Sequence, residues 1–319
     1  MPLLDVEHLK VYFETMRGYV KAVDDISFHV EKGEAMGLAG ESGCGKTTTA
    51  LAILKILPPN GKIVDGKVIF NGIDLTKLNE EEMRNKIRWK GISLIFQGAM
   101  NALNPIKKVG DQILEAIRLH EREISKEEAM ERAAKLFQLV GIEPSRLNNY
   151  PHEFSGGMRQ RAMIAMALAS NPEVVIADEP ATALDVIVAA QVLKLLRELK
   201  VKLGISIILI THDLSIIADT CDKTAIMYAG KIVEYGEVRD IFKKPLHPYT
   251  QGLIRSFPNI KGQRTKLISI PGNPPDLLKP PLGCRFHPRC PYAIPLCNKK
   301  EPEFLEVEKS HIVACHLIK

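Results

Sequence analysis

Residues Gly40-Glu41-Ser42-Gly43-Cys44-Gly45-Lys46-Thr47 follow the spacing G-x-x-x-x-G-K-[ST]. That spacing makes a loop able to wrap a chain of phosphates. Glycines let the backbone bend tightly and come close to a ligand. The loop's N–H groups then point inward, and a helix after it adds its positive N-terminal end. Lys46 is placed to reach the β- and γ-phosphates, and the Thr47 hydroxyl to ligate Mg²⁺, with Thr48 in the same turn.

A second constellation supplies carboxylates. Val174-Val175-Ile176-Ala177-Asp178-Glu179 is an apolar run ending in two acids. At the end of a buried parallel strand, Asp178 would hold Mg²⁺ and Glu179 would polarise the water that attacks a γ-phosphate. A third is Phe154-Ser155-Gly156-Gly157-Met158-Arg159-Gln160-Arg161. Ser155 reads as the N-cap of a helix over 158–169, and Gly156 and Gly157 leave its first amides open to an anion.

The elements needed to position these groups can be read from periodicity. Glu34–Ala39 reads as a buried strand before the phosphate loop, and Thr47–Leu57 as the helix after it, stopped by Pro58-Pro59. Val20–Val30 and Ile63–Phe70 read as strands, the second ending at the turn pair Asn71-Gly72. Gly91–Phe96 is a short apolar run. Residues 98–170 are helical in character, with Lys126–Val140 amphipathic and Gly141 as its terminator. Val188, Val192, Leu195, Leu196, Leu199 and Leu203 form a helix stripe ended by Gly204. Ile205–Ile210 reads as a strand, and Thr224–Glu234 as a hairpin turning at Ala229-Gly230. This alternation to about residue 240 predicts an α/β fold, with a mixed sheet and a helical subdomain at about 98–170.

After Phe242 the composition changes. Prolines crowd the segment from Pro245 to Pro302, including Pro258. Regular elements are not expected there. The expected organisation is a nucleotide-binding domain over 1–242 and a loop-rich tail over 243–319. The tail is too short to bury much core, so a metal staple is expected. It holds Cys284, Cys290, Cys297 and Cys315, spaced C-x5-C-x6-C-x17-C. In a reducing compartment such a cluster points to metal rather than disulfides. Cys44 and Cys221 stand apart and read as packing residues.

Composition bounds the rest. The 319 residues are 45% hydrophobic and 25% charged, with a net charge of +5. That is ordinary for a soluble globular chain. No apolar run approaches the length of a bilayer span. The acidic N-terminus is unlike a secretory signal. A cytoplasmic location is therefore expected. No basic stripe with interleaved aromatics suggests nucleic-acid binding.

The Phe154–Arg161 segment is similar to the L-S-G-G-Q signature of ATP-binding cassette (ABC) ATPases, with Phe for Leu and Met158 for Gln. Given that resemblance, Gln97 looks like the Q-loop glutamine that joins Mg²⁺ or water. Ala183-Leu184-Asp185 resembles the D-loop, and His212 the switch histidine that contacts the γ-phosphate. Phe13 is the best match to the adenine-stacking aromatic, with Tyr12 and Tyr19 as competitors. The resemblance implies two ATPase domains facing head to tail, each ATP lying between one phosphate loop and the other's Ser155–Gly157 segment.

The tail narrows the resemblance. Lys244-Pro245-Leu246-His247-Pro248-Tyr249-Thr250-Gln251-Gly252-Leu253 and Gly283-Cys284-Arg285-Phe286-His287-Pro288-Arg289-Cys290-Pro291 resemble dipeptide and oligopeptide importer ATPases. That branch implies a [4Fe–4S] cluster on the four cysteines, with Zn²⁺ or free thiols as alternatives. His247, His287, His311 and His316 are read as surface or hydrogen-bonding residues rather than ligands. The implied partners are two transmembrane permeases, a second, related ATPase subunit or a second copy of this chain, and an extracytoplasmic peptide-binding protein. The chain itself would sit peripherally at the cytoplasmic face of the membrane. Transport of nickel or another small solute, a soluble ABC ATPase, and a redox-sensing module are the rival readings.

Overall fold

The computed structural model describes residues 1–98, 102–121, 123–256, 270–308 and 310–318. The chain forms two compact units. The first comprises Met1–Lys77 with Ile210–Lys319, and the second comprises Leu78–Leu209.

The first unit begins with β1 (Leu4–Thr15), β2 (Gly18–Val30), β3 (Ala35–Ala39), α1 (Lys46–Ile53), β4 (Gly61–Phe70) and β5 (Ile73–Asp74). Strands β2-β1-β4-β5 make an antiparallel sheet. Phe70 pairs with Ile73 across Asn71 and Gly72, both at positive φ, as the two-residue turn requires. Helix α1 stops at Ile53, short of the expected Leu57. Lys55 takes a left-handed φ of 51°. Its N–H bonds the Ala52 carbonyl and the Ile56 N–H bonds Leu51, which closes the helix before either proline is reached.

The second unit runs α2 (Glu80–Glu82), β6 (Ile92–Ile95), α3 (Val109–His120), α4 (Lys126–Leu139), α5 (Gly156–Ala167), β7 (Val174–Asp178) and α6 (Val186–Leu203), and its last residues, to Leu209, are in β8 (Ser206–Thr211). Its strand order is β8-β7-β6, with β6 and β7 parallel. Ser125 and Glu128 form a reciprocal capping box at the start of α4. Phe137 on α4 is fully buried and meets Phe154 edge-on at 6.3 Å. The expected helical region agrees with α3 to α5 where it is described; 99–101 and 122 lie outside the described residues.

The first unit resumes with α7 (Leu214–Thr220), β9 (Lys223–Tyr228), β10 (Lys231–Glu237), α8 (Val238–Lys243), α9 (Pro248–Arg255), β11 (Phe304–Glu308) and β12 (His311–Ala314). Here the order is β11-β12-β10-β9-β3, antiparallel except for the parallel pair β9 and β3. The proline-rich tail is thus more regular than its composition suggests. Pro248 opens α9 at a first-turn position where its missing N–H costs nothing. Strand β12 pairs with β10, Glu234 opposite Val313. Pro258 lies outside the described residues. The core around the tail is aromatic: Tyr228, Tyr249 and Phe286 pack at steep angles, with ring centroids within 5.3 Å of one another.

No helix among the described residues is long and apolar enough to cross a membrane.

Candidate nucleotide site and cysteine-bearing tail

The phosphate loop is delivered by β3, every residue of which is buried. Two glycines are forced by close approach. At Gly40 (φ 150°) a Cβ would stand 2.1 Å from the Met227 carbonyl oxygen, and at Gly45 (φ 107°) 2.4 Å from that of Ala22. Gly45 is also the N-cap of α1 and offers no side chain to its first amides, leaving them to an anion. No acidic residue lies in the first turn. Lys46 is buried, and its Nζ donates to the carbonyls of Gly40 (2.7 Å) and Glu41 (3.0 Å). Ser42, Gly43 and Thr47 are exposed and Thr48 is half-buried. Cys44 is buried under Lys46, and burial pushes its thiol pKa up, as suits a packing residue.

The carboxylates lie in the second unit. Asp178 ends β7 and is buried. The parallel register Ile95–Ala177 sets the ends of β6 and β7 side by side. Gln97 Nε2 donates to Glu179 Oε2 at 3.0 Å, and the Thr182 hydroxyl donates to the same oxygen at 2.9 Å. Glu179 has a left-handed φ of 46°, a backbone state usually found where a side chain must be aimed. The structure therefore brings Gln97 and Glu179 together, and adds Thr182, which the sequence reading did not single out.

Ser155 caps α5 as expected, accepting from the Met158 N–H at 3.3 Å. Asp185 caps α6, accepting from Val188 N–H at 2.9 Å. The two helix starts meet: a Cβ on Gly157 would lie 2.5 Å from Val188 Cγ1. Gly157 is thus needed for packing as well as for open amides.

His212 follows β8 in the first unit and is exposed. Phe13, on β1, is half-buried, and a Cβ on Gly61 would lie 2.7 Å from its ring. Tyr12 donates to Asp24 at 2.7 Å, while Tyr19 is exposed.

The four tail cysteines share one neighbourhood. Cys284 N–H donates to the Cys297 carbonyl at 2.8 Å. Burial, then the nearby thiols of Cys297, Cys315 and Cys290, push Cys284 up to about 11. Burial raises Cys290 and Cys315 as well. Yet among the described residues no three His, Cys, Asp or Glu side chains are set to hold a metal ion. The donor chemistry suits a thiophilic metal, but these thiols do not form a ready ligand set. Of the nearby histidines, His247 and His311 are buried rather than on the surface, and both make hydrogen bonds.

The residues beside two of the cysteines carry more than the sequence revealed. Arg285 pairs with Asp24 and donates to the Ala229 carbonyl. Burial alone would raise the Asp24 carboxyl, but the Tyr12 hydroxyl and Arg285 outweigh it and hold its pKa low. Arg289 forms a two-pronged pair with Glu41 of the phosphate loop. The only sequence signal was their position beside Cys284 and Cys290, which specifies no partner.

Comparison with known proteins follows the same division. The family "ABC transporter" matches residues 23–182, and "Oligopeptide/dipeptide transporter, C-terminal region" matches 233–297. A probable peptide ABC transporter ATP-binding protein of Sinorhizobium fredii is 49% identical, over 98% of this chain and 94% of its own. The oligopeptide transport ATP-binding protein OppD of Bacillus subtilis is also 49% identical, over 99% and 89%. Among solved structures, the dimeric post-hydrolysis state of the ATP-binding cassette MJ0796, bound to ADP and Pi, aligns with a TM-score of 0.65 at 26% identity. That alignment covers 74% of this chain and 99% of the cassette.

Proposed function

Because the chain belongs to the ABC transporter ATPases, we propose that it is the ATP-hydrolysing subunit that drives import of dipeptides or oligopeptides. The observation that carries the reading is the phosphate loop itself. Glycines no other residue could replace lead into an uncapped helix start, beside a buried lysine. The C-terminal region matched to oligopeptide and dipeptide transporters supports the peptide class.

In this reading Lys46 and the α1 amides grip the β- and γ-phosphates of ATP, and Phe13 stacks on adenine. Thr47, Gln97 and Asp178 offer hard oxygen donors of the kind Mg²⁺ prefers. When bound, Mg²⁺ neutralises phosphate charge. Glu179, oriented by Gln97 and Thr182, takes a proton from the attacking water, and His212 contacts the γ-phosphate. Ser155, Gly156 and Gly157 act across a dimer on the partner's nucleotide, and Asp185 lies at that contact. Positioning and charge neutralisation then account for most of the rate. The partners are two permeases, a second ATPase subunit and a peptide-binding protein outside the membrane, with this chain peripheral on the cytoplasmic side. Functionally the cassette spans 1–242 and the tail 243–319.

We infer further that the four tail thiols, though not set as a ligand group among the described residues, would be drawn together around a [4Fe–4S] cluster, with Zn²⁺ the alternative. Their shared burial and mutual influence support this, since a bound cation offsets the cost of gathering thiolates. When bound, the metal supplies a covalent clip for the tail. Iron and sulfide analysis of protein purified without oxygen tests it; stoichiometric zinc without iron reverses the ranking.

The function is tested by reconstituting the chain with its permeases in proteoliposomes. ATP hydrolysis stimulated by peptide and peptide-binding protein is expected. Hydrolysis that responds to no peptide would sink the substrate class.

A further inference from the structure

The phosphate loop contains a carboxylate that an anion-binding loop does not need. Glu41 is fastened at three points. Its N–H donates to the Tyr249 hydroxyl at 2.9 Å, and its carbonyl accepts from Lys46 Nζ at 3.0 Å. Its carboxylate accepts from both prongs of Arg289, at 2.6 and 2.9 Å.

Arg289 is itself held. Its side chain is 6% exposed, and its Nε donates to the Pro271 carbonyl at 2.8 Å. It also donates to the Tyr228 hydroxyl at 3.3 Å and lies over that ring at 5.7 Å. Held on one side and forked on the other, the guanidinium fixes both the charge and the orientation of Glu41.

We propose that Arg289 is a positioning residue for nucleotide binding: it neutralises Glu41 and holds the phosphate loop in the shape that admits a polyphosphate. The inference rests on reading Gly40–Thr47 as the nucleotide site.

Two physical effects combine. An unpaired carboxylate in the loop repels phosphate, and partial burial weakens the solvent screening that would soften the repulsion. Freed from Arg289, the Glu41 carboxylate can also turn toward Lys46, which is already bonded to the Glu41 carbonyl. That would divert the lysine from the phosphates. A lysine at 289 would restore charge but not the planar fork, so it is a partial substitute.

The test is titration of the full-length chain with a fluorescent ATP analogue at fixed Mg²⁺ and salt. Arg289→Gln is expected to weaken binding by about tenfold or more, and Arg289→Lys by less. Adding Glu41→Gln to Arg289→Gln is expected to recover at least about half of that loss on a logarithmic scale, because no carboxylate remains to be neutralised. A merely structural arginine would give a double variant no better than the single one. Arg289→Gln binding like the wild type, or a double variant as weak as the single, overturns the proposal. Should Arg289→Gln not fold, Arg289→Lys with and without Glu41→Gln completes the same cycle. Lys46→Ala separates the two readings. If it binds as tightly as the wild type, the phosphate-loop reading fails. If it loses binding while the Arg289 variants do not, only the role of Arg289 fails.

Discussion

Glu179 is aimed by two neutral donors, Gln97 and Thr182, which orient the carboxylate without protonating it. Glu179→Gln should therefore keep ATP binding and lose turnover by about a hundredfold or more, the scale of a general base. Single-turnover hydrolysis checks this, and an unchanged rate removes Glu179 from its role. His247 offers a second prediction at this scale. It is fully buried, and burial lowers its pKa to about 4 from an ordinary value of 6.5. Its Nδ1 accepts the Tyr249 N–H at 3.0 Å, which requires a neutral ring. The unfolded chain takes up this proton first, so the stability is whole above about pH 6.5 and drains as pH falls toward 4, by roughly 3 kcal/mol in all. The melting temperature should fall over that range, and fall less in His247→Asn, whose amide oxygen can still accept. Equal slopes would count against it. What the sequence revealed here was local chemistry: the phosphate loop and the paired acids stand in a few consecutive positions. Arg289 was invisible because its partner lies 248 residues away.

Among the elements, periodic helices were legible and their ends were less so. α4 and α6 carry their cores at helical spacing and end at Gly141 and Gly204, both at positive φ. α1 escaped because a lysine, not a glycine, takes the left-handed position that stops it. The tail's α9 escaped because proline content was read as a ban on order, although Pro248 sits where a helix tolerates it, and β11 and β12 escaped because so short a tail was read as loop throughout. The contact of α5 with α6 gives the element-scale prediction. Gly157→Ala should push the two helix starts apart, costing about 1–3 kcal/mol as overpacking does. Gly157→Ala with Val188→Ala should recover part of that in chemical denaturation. Equal stability of Gly157→Ala and wild type would show that the helices yield freely.

For the whole molecule, the tail is knitted into the first unit rather than appended to it. Glu234 on β10 is wholly buried, and among the described residues its carboxylate accepts from groups beyond residue 242: the Leu246 N–H (2.8 Å), the His247 N–H (3.0 Å) and His311 Nε2 (2.8 Å). A chain cut after Phe242 removes these donors, the β12 strand that pairs with β10, and the buried Tyr249 and Phe286 rings packed on Tyr228, each apolar side chain worth about 1.5–3 kcal/mol of burial. Together that is a large share of a typical domain's stability. The truncated chain should melt early or aggregate. A cooperative melt matching the full chain would refute this. No sequence pattern announced the dependence, since Glu234 reads as an ordinary charge in a hairpin.

Strand β11 closes the strand order at one end, and all five of its residues face solvent. Phe304, Leu305 and Val307 are greasy there, while Glu306 and Glu308 alternate with them. Glu306, which accepts the Ser310 N–H, and Glu308, which pairs with Lys244, keep polar groups along that border as sentries against a neighbouring molecule zipping on. A concentrated stock of a Leu305→Lys variant should stay clear longer than the wild type when turbidity is followed on storage, and equal rates would show that this border does not seed association.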